Sequence, residues 1–147
     1  MIKYTKMMPE HVSQVARLER LCFSSPWSEA VISNELLNPL SLWIVALDGD
    51  RVVGYVGSQT VLGEADMMNI AVDPFYRRAG VARQLVNDLV LMLKNNNTHC
   101  LTLEVRVSNV AAISLYSQLD FVQVGRRPNY YFAPREDALI LRKEWQL

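Results

Sequence analysis

The sequence predicts an α/β domain in which helices pack on a partly parallel sheet. In the second half, the apolar pattern alternates strand, helix, strand, helix, strand, the order that builds parallel neighbours. A length of 147 residues fits one core of about 150 residues, so residues 1–147 are expected to form a single domain. Hydrophobic residues make up 50% of the chain and charged residues 20%, which suffices for a packed core and excludes a disordered or fibrous chain.

Each element follows from its own residues. Ile2–Thr5 forms a short strand, and after Pro9 the positions Val12, Val15, Ala16, Leu18, Leu21 and Cys22 recur at helical spacing as far as Phe23. Ser24–Trp27 breaks that helix, and Ser28 caps a second one running to about Leu37. Leu42–Leu47 and Val52–Leu62 flank Asp48-Gly49-Asp50 and read as a hairpin. A third strand, Ala65–Val72, puts Met68, Ile70 and Val72 on one face and stops at Asp73-Pro74. From Gly80, the stripe Val81, Leu85, Leu89 and Met92 or Leu93 marks a long helix that ends at Asn95–Asn97. Leu101, Leu103 and Val105 alternate with Thr102, Glu104 and Arg106, which places Glu104 opposite the leucines. Ser108 or Asn109 caps a last helix with the stripe Ala112, Leu115, Tyr116 and Leu119. Phe121–Gly125 and Asp137–Leu141 read as two final strands, joined by a loop over Arg126–Glu136.

Fifteen basic residues balance fifteen acidic ones, so no global field drives the chain onto nucleic acid or an anionic membrane. Cys22 and Cys100 form no disulfide framework and read as reduced core residues. His11 and His99 read as isolated surface residues that make no ligand pattern with either cysteine, so no metal is expected. The first eleven residues lack the apolar run of a secretory signal, and no stretch reaches the length of a membrane span. The expectation is a cytoplasmic monomer.

Two segments carry chemistry. In the first, Asn69–Arg83, a strand enters a turn containing Ala79 and Gly80 that opens a helix, and Arg77, Arg78 and Arg83 gather there. A helix N-terminus with unpaired amides and nearby cations is an anion site that suits a diphosphate. It is neither GxGxxG nor a Walker loop. The same pattern also fits an ordinary turn whose arginines are solvated. In the second segment, Glu104 lies among buried residues, where a carboxylate needs a partner or a task. That partner could be Arg106 or an arginine of the last loop. Tyr116 by itself reads as a core aromatic with its hydroxyl at the rim, and Asn109 as a helix cap. Trp27, Tyr130 and Tyr131 could line a peptide groove or be ordinary core aromatics.

Arg77-Arg78-Ala79-Gly80-Val81-Ala82, led by Val72-Asp73-Pro74, resembles the Arg/Gln-x-x-Gly-x-Gly/Ala signature of the Gcn5-related N-acetyltransferases (GNAT). Leu103–Tyr116 is similar to a stretch of the N-terminal protein acetyltransferases within that superfamily. With Pro26-Trp27-Ser28, Arg127–Tyr131 and Arg135–Ala138, nearly the whole chain resembles the bacterial ribosomal-protein alanine N-acetyltransferases. The resemblance implies a mixed, mostly antiparallel sheet with splayed central strands and flanking helices. It implies acetyl-coenzyme A as co-substrate, with its pyrophosphate on the amides of Arg78, Ala79, Gly80, Val81, Ala82 and Arg83. By the same resemblance, Asn109 contacts the coenzyme, and the backbone of Ile70, Ala71 and Val72 holds the pantetheine arm and polarises the acetyl carbonyl. Glu104 takes the general-base position and Tyr116 the general-acid position. The implied acceptor is the N-terminal alanine of the eighteenth small-subunit ribosomal protein. Two departures stand out: Ala82 where many relatives have Gly, and Asp120 where Gly usually precedes Phe121, although Asp tolerates positive φ better than most residues.

The chemistry fits these roles. An N-terminal amine has a pKa of about 7.7 to 8.0, so a base must free it near neutral pH. A phenol near 10 stays protonated until a thiolate forms beside it. Neither Cys sits in a nucleophile setting, which favours direct attack over an acyl-enzyme. An acceptor that is a lysine, a polyamine or another small amine stays open, as does a coenzyme A sensor without turnover.

Overall fold

The structure is a computed structural model that describes residues 1–146. Seven strands and four α-helices follow one another: β1 (Ile2–Lys6), α1 (Val12–Cys22), α2 (Glu29–Glu35), β2 (Ser41–Asp48), β3 (Arg51–Val61), β4 (Glu64–Val72), α3 (Val81–Asn95), β5 (Cys100–Arg106), α4 (Val110–Gln118), β6 (Val122–Tyr131) and β7 (Glu136–Glu144). The sheet runs in the order β1-β2-β3-β4-β5-β7-β6. Five of its six neighbour pairs are antiparallel and only β4–β5 is parallel, as in the mixed sheet the resemblance implies.

The parallel ladder is short. It joins Glu64 to Cys100, Ala65 to Leu101 and Asp66 to Thr102, and there it stops. Beyond it, β4 stays with β3, while β5 follows β7 as far as Arg106 paired with Ala138. Two strands held by different partners therefore part, and the V between them positions the site.

Both sheet faces are covered. Val81, Leu85, Val86 and Leu89 of α3, with Tyr116 of α4, pack on Ile44, Val56, Leu101 and Leu103. On the opposite face, Val15, Ala16 and Leu18 of α1 and Ile32 of α2 pack on Trp43, Val45 and Tyr55. The caps are those expected locally: Ser28 Oγ accepts from Val31 N–H at 3.2 Å, and Asn109 Oδ1 from Ala112 N–H at 3.2 Å.

Five expectations need correction. On α1, Glu19 is fully buried and Leu21 is exposed, because positions 12, 15, 16 and 19 share the inward stripe. In β4, a bulge falls between the pairs Gly57–Asn69 and Ser58–Met67, so Met68 stands outside the ladder and Met67 joins Ile70 and Val72 in the core. The segment Arg126–Glu136 is no long loop: β6 continues to Tyr131 and pairs Arg127 with Ala138 and Tyr131 with Glu136. Pro128 is tolerated because β6 is an edge strand and its register is already broken there. His11 is buried, and its Nδ1 accepts the Met8 N–H at 2.9 Å. Cys100 is buried as expected, but Cys22 is only half-buried.

Candidate active site

A cavity of about 750 Å³ occupies the opening between β4 and β5, lined from β4 by Met67, Asn69 and Ile70 and from β5 by Leu103, Glu104 and Val105. The α1–α2 connection closes one side with Phe23, Ser24 and Ser25, and the β6–β7 hairpin another with Arg127, Tyr130 and Tyr131.

Glu104 enters by strand alternation. Leu103 and Val105 are buried under the helices, so the intervening carboxylate turns to the other face and into the cavity, half-buried. Its partner is Arg127, with Nε 3.5 Å from Oε1. Arg106 is occupied elsewhere, bonding Glu136 at 3.0 Å and the carbonyls of Phe132 and Pro134. The Tyr130 hydroxyl also faces Glu104, and that contact, with burial, raises its pKa. Burial and Glu104 push the Tyr131 phenol up to about 12.

Tyr116 reaches the cavity from α4, 4% exposed, with its hydroxyl 3.8 Å from Met67 Sδ. Its position is fixed by the way the helix ends. Phe121 N–H bonds the Tyr116 carbonyl at 2.9 Å and Asp120 N–H that of Ser117 at 3.1 Å, while Phe121 packs edge-on to the Tyr116 ring at 5.3 Å. This Schellman exit needs a left-handed residue, which is Asp120 at φ 69°. Burial raises the Tyr116 pKa above the ordinary 10, so the phenol is a proton donor through the neutral range.

The backbone of β4 supplies donors. Asp73 N–H bonds Val53 O at 2.8 Å on the β3 side. By alternation, the amides of Ile70 and Val72 turn away from β3 into the opening, while Ala71 faces β3. Past Asp73, the turn reaches Gly80, at φ 78° the N-cap of α3. The first helical bond is Gln84 N–H to Gly80 O at 3.0 Å, leaving the Val81, Ala82 and Arg83 amides without a carbonyl inside the helix. A Cβ on Gly80 would meet nothing within 4 Å, so the approach to these amides is open. Arg78 and Ala79 are exposed beside them, and Arg83 is held by Gln118. The cradle thus fits a diphosphate on residues of this chain alone. Asn109 lines the cavity while capping α4.

The structure therefore brings Glu104, Tyr116, Ile70 and Asn109 to one cavity, with Tyr130 and Tyr131 beside them. Trp27 is not among the lining residues; it packs on Trp43, with ring centroids 5.7 Å apart. Asn69, Asp66 and Glu19 did not stand out as site residues in the sequence. For Glu19, the missed signal is its place on the apolar stripe of α1. Among the described residues, no group of three potential metal ligands occurs, and no helix is long and apolar enough to cross a membrane.

The acetyltransferase (GNAT) family model matches residues 12–121. An uncharacterised protein of Mycobacterium leprae is 38% identical over 147 residues, a match covering 95% of this chain but only 40% of that protein. The ribosomal protein bS18-alanine N-acetyltransferase of Salmonella typhimurium is 39% identical over 128 residues, covering 85% of each chain. The crystal structure of the Escherichia coli ribosomal-protein alanine N-acetyltransferase superposes with a TM-score of 0.92 at 32% identity, covering 100% of this chain and 96% of that one.

Proposed function

Because this chain belongs to the acetyltransferase (GNAT) family and is an N-acetyltransferase, we propose that it carries acetyl from acetyl-coenzyme A to the N-terminal alanine of a small-subunit ribosomal protein, the eighteenth. The observation that carries this reading is the cavity in which a strand carboxylate, a buried phenol and free strand amides converge on one opening. Acetyl-coenzyme A supplies an activated acetyl thioester.

The α3 N-terminus, with Arg78–Arg83, receives the pyrophosphate, and the Ile70 and Val72 amides bind the pantetheine arm and the acetyl carbonyl oxygen. Glu104 accepts a proton from the acceptor ammonium, directly or through one water. The freed nitrogen then bonds to the acetyl carbon and the carbon–sulfur bond breaks. Tyr116 gives its proton to the departing thiolate, and the second proton that the nitrogen loses as the amide forms restores the phenol by way of solvent. Near neutral pH most of an amine with a pKa of about 8 is protonated, which is why a base within the cavity matters. Asn109 contributes its cap and a coenzyme contact, and Tyr130 and Tyr131 line the acceptor path. The reading places this reaction in the cytoplasm, on a single copy of the chain and within one acetyltransferase domain, residues 1–147, without a metal.

The test is thiol release from acetyl-coenzyme A with a peptide bearing N-terminal Ala, beside the same peptide blocked at its terminus and carrying a free lysine. Mass spectrometry locates the acetyl group. Modification confined to the alanine terminus supports the reading. Modification of lysine moves the acceptor to another amine, and binding of coenzyme A without release leaves a sensor.

A further inference from the structure

Glu19 is a carboxylate with no part in the steps above, yet it is fully buried. Three donors converge on it. Its Oε1 accepts the Trp27 N–H at 2.8 Å, and its Oε2 accepts Asn69 Nδ2 at 2.5 Å and the Tyr55 hydroxyl. Tyr55 has its pKa raised by burial and by Glu19, so its phenol stays a donor. Among the described residues, no Lys, Arg or His nitrogen pairs with Glu19. Hydrogen bonds alone compensate this buried group, an arrangement that a well-packed apolar residue would usually match or exceed in stability.

Its two oxygens serve two different elements. One holds the α1–α2 connection, whose Phe23, Ser24 and Ser25 line the cavity just before Trp27. The other holds the sheet at Asn69, the residue after the bulged Met68 and itself part of the lining. Glu19 does not line the cavity. The coenzyme cradle has its own anchor: Asp73 bonds Phe75 N–H at 3.0 Å and Arg51 at 3.3 Å. We infer that Glu19 is a positioning residue for the acceptor, fixing the α1–α2 connection against the bulge of β4 so that the acceptor wall of the cavity keeps one geometry.

This inference rests on the acetyl transfer proposed above. Glu19→Gln preserves size but presents an amide NH₂ to three donors, so at least one contact must break. With whichever amine the wild type modifies, the variant is expected to raise the acceptor KM by about 10- to 100-fold, the loss of one hydrogen bond to a charged group. The KM for acetyl-coenzyme A and the Kd for coenzyme A should stay within about twofold. Asn69→Ala should raise the acceptor KM in the same direction, and the double variant should be no worse than Glu19→Gln, because both act through one contact. If Glu19→Gln does not fold, Asn69→Ala and Tyr55→Phe carry the same comparison. An unaltered acceptor KM in the soluble variants overturns the inference, as does a fall in kcat alone that tracks the folded fraction, or strictly additive effects. A wild type inactive on every amine overturns both this inference and the function above, whereas an active wild type with unaltered variants overturns this one alone.

Discussion

Replacing Glu104 by Gln separates chemistry from folding, because the structure makes the two effects differ greatly in size. The carboxylate pairs with Arg127 at 3.5 Å, and the two side chains are 29% and 54% exposed. A pair this open contributes about 0.2–1 kcal/mol. Even a domain of about 5 kcal/mol stability would then leave about one molecule in a thousand unfolded. A positioned base, by contrast, contributes about 10²- to 10⁴-fold in rate. The variant should therefore lose about 10²- to 10⁴-fold in kcat/KM by thiol release, with Tm and coenzyme A affinity nearly unchanged. The loss should also depend on pH. An amine with a pKa near 8 is about one-tenth free at pH 7 and about nine-tenths free at pH 9, so solvent recovers roughly ninefold of the deficit. A loss smaller than about tenfold, or one that does not narrow as pH rises, would refute the assignment of proton removal to Glu104.

Four further outcomes are expected. Tyr116→Phe should lower kcat about 10²-fold, near the lower end for a general acid because a thiolate is already a fair leaving group, with acceptor KM little altered. Burial raises the Tyr116 pKa, so the wild-type pH–rate profile should show no alkaline fall from this phenol up to about pH 10. Asp73 is 1% exposed; burial works to raise its pKa, but the Phe75 amide, Arg51 and Arg17 outweigh it and hold the carboxyl below its ordinary value. It stabilises the fold above the unfolded pKa of about 3.9, and that stability is lost as pH falls through the lower folded value. Asp73→Asn should cost about 2 kcal/mol at pH 7, with the Tm difference from wild type closing on acidification below about pH 4, as followed by thermal melts. Gly57→Ala would drive a Cβ into the Trp43 indole, stacked on Tyr55 at 5.8 Å, and should cost about 1–3 kcal/mol in a denaturant titration.

Features set by local periodicity were legible in the sequence. The alternation of Leu103, Glu104 and Val105 was enough to turn one carboxylate away from two buried neighbours, and the caps at Ser28 and Asn109 depend on residues three positions away. The left-handed exit at Asp120 came with the resemblance, in which Gly usually precedes Phe121. The V was not visible in the residues themselves and came only with the resemblance, because it depends on β5 being captured by β7 across the sequence. The bulge at Met68 shifted the facing of β4 by one residue, which no alternation rule anticipates. Pro128 and Pro134 disguised a hairpin as a loop, since only an edge position makes a proline in a strand admissible. Glu19 escaped because a charge on an amphipathic helix is ordinarily solvated, and its three donors come from residues 8, 36 and 50 positions away.

A ladder that ends after three pairs leaves backbone amides of β4 without a strand partner, ordinarily a cost in a folded sheet. Here that cost is confined to the side of β4 that faces the cavity. In the reaction proposed above, the same parting would give the two strands distinct tasks: β4 would offer main-chain donors to the acetyl carbonyl, and β5 the Glu104 side chain to the incoming amine. Neither would be accessible in a closed ladder, where β5 would satisfy the amides of Ile70 and Val72 and pack Glu104 against its neighbours. Side-chain contacts brace the V on either side. Arg106 is committed to Glu136 and the turn carbonyls of the β6–β7 hairpin, while Glu19 ties Asn69 to the helical layer. Both strands are therefore braced by polar contacts at the cavity wall, so substitutions at those contacts should alter substrate binding before they alter the fold.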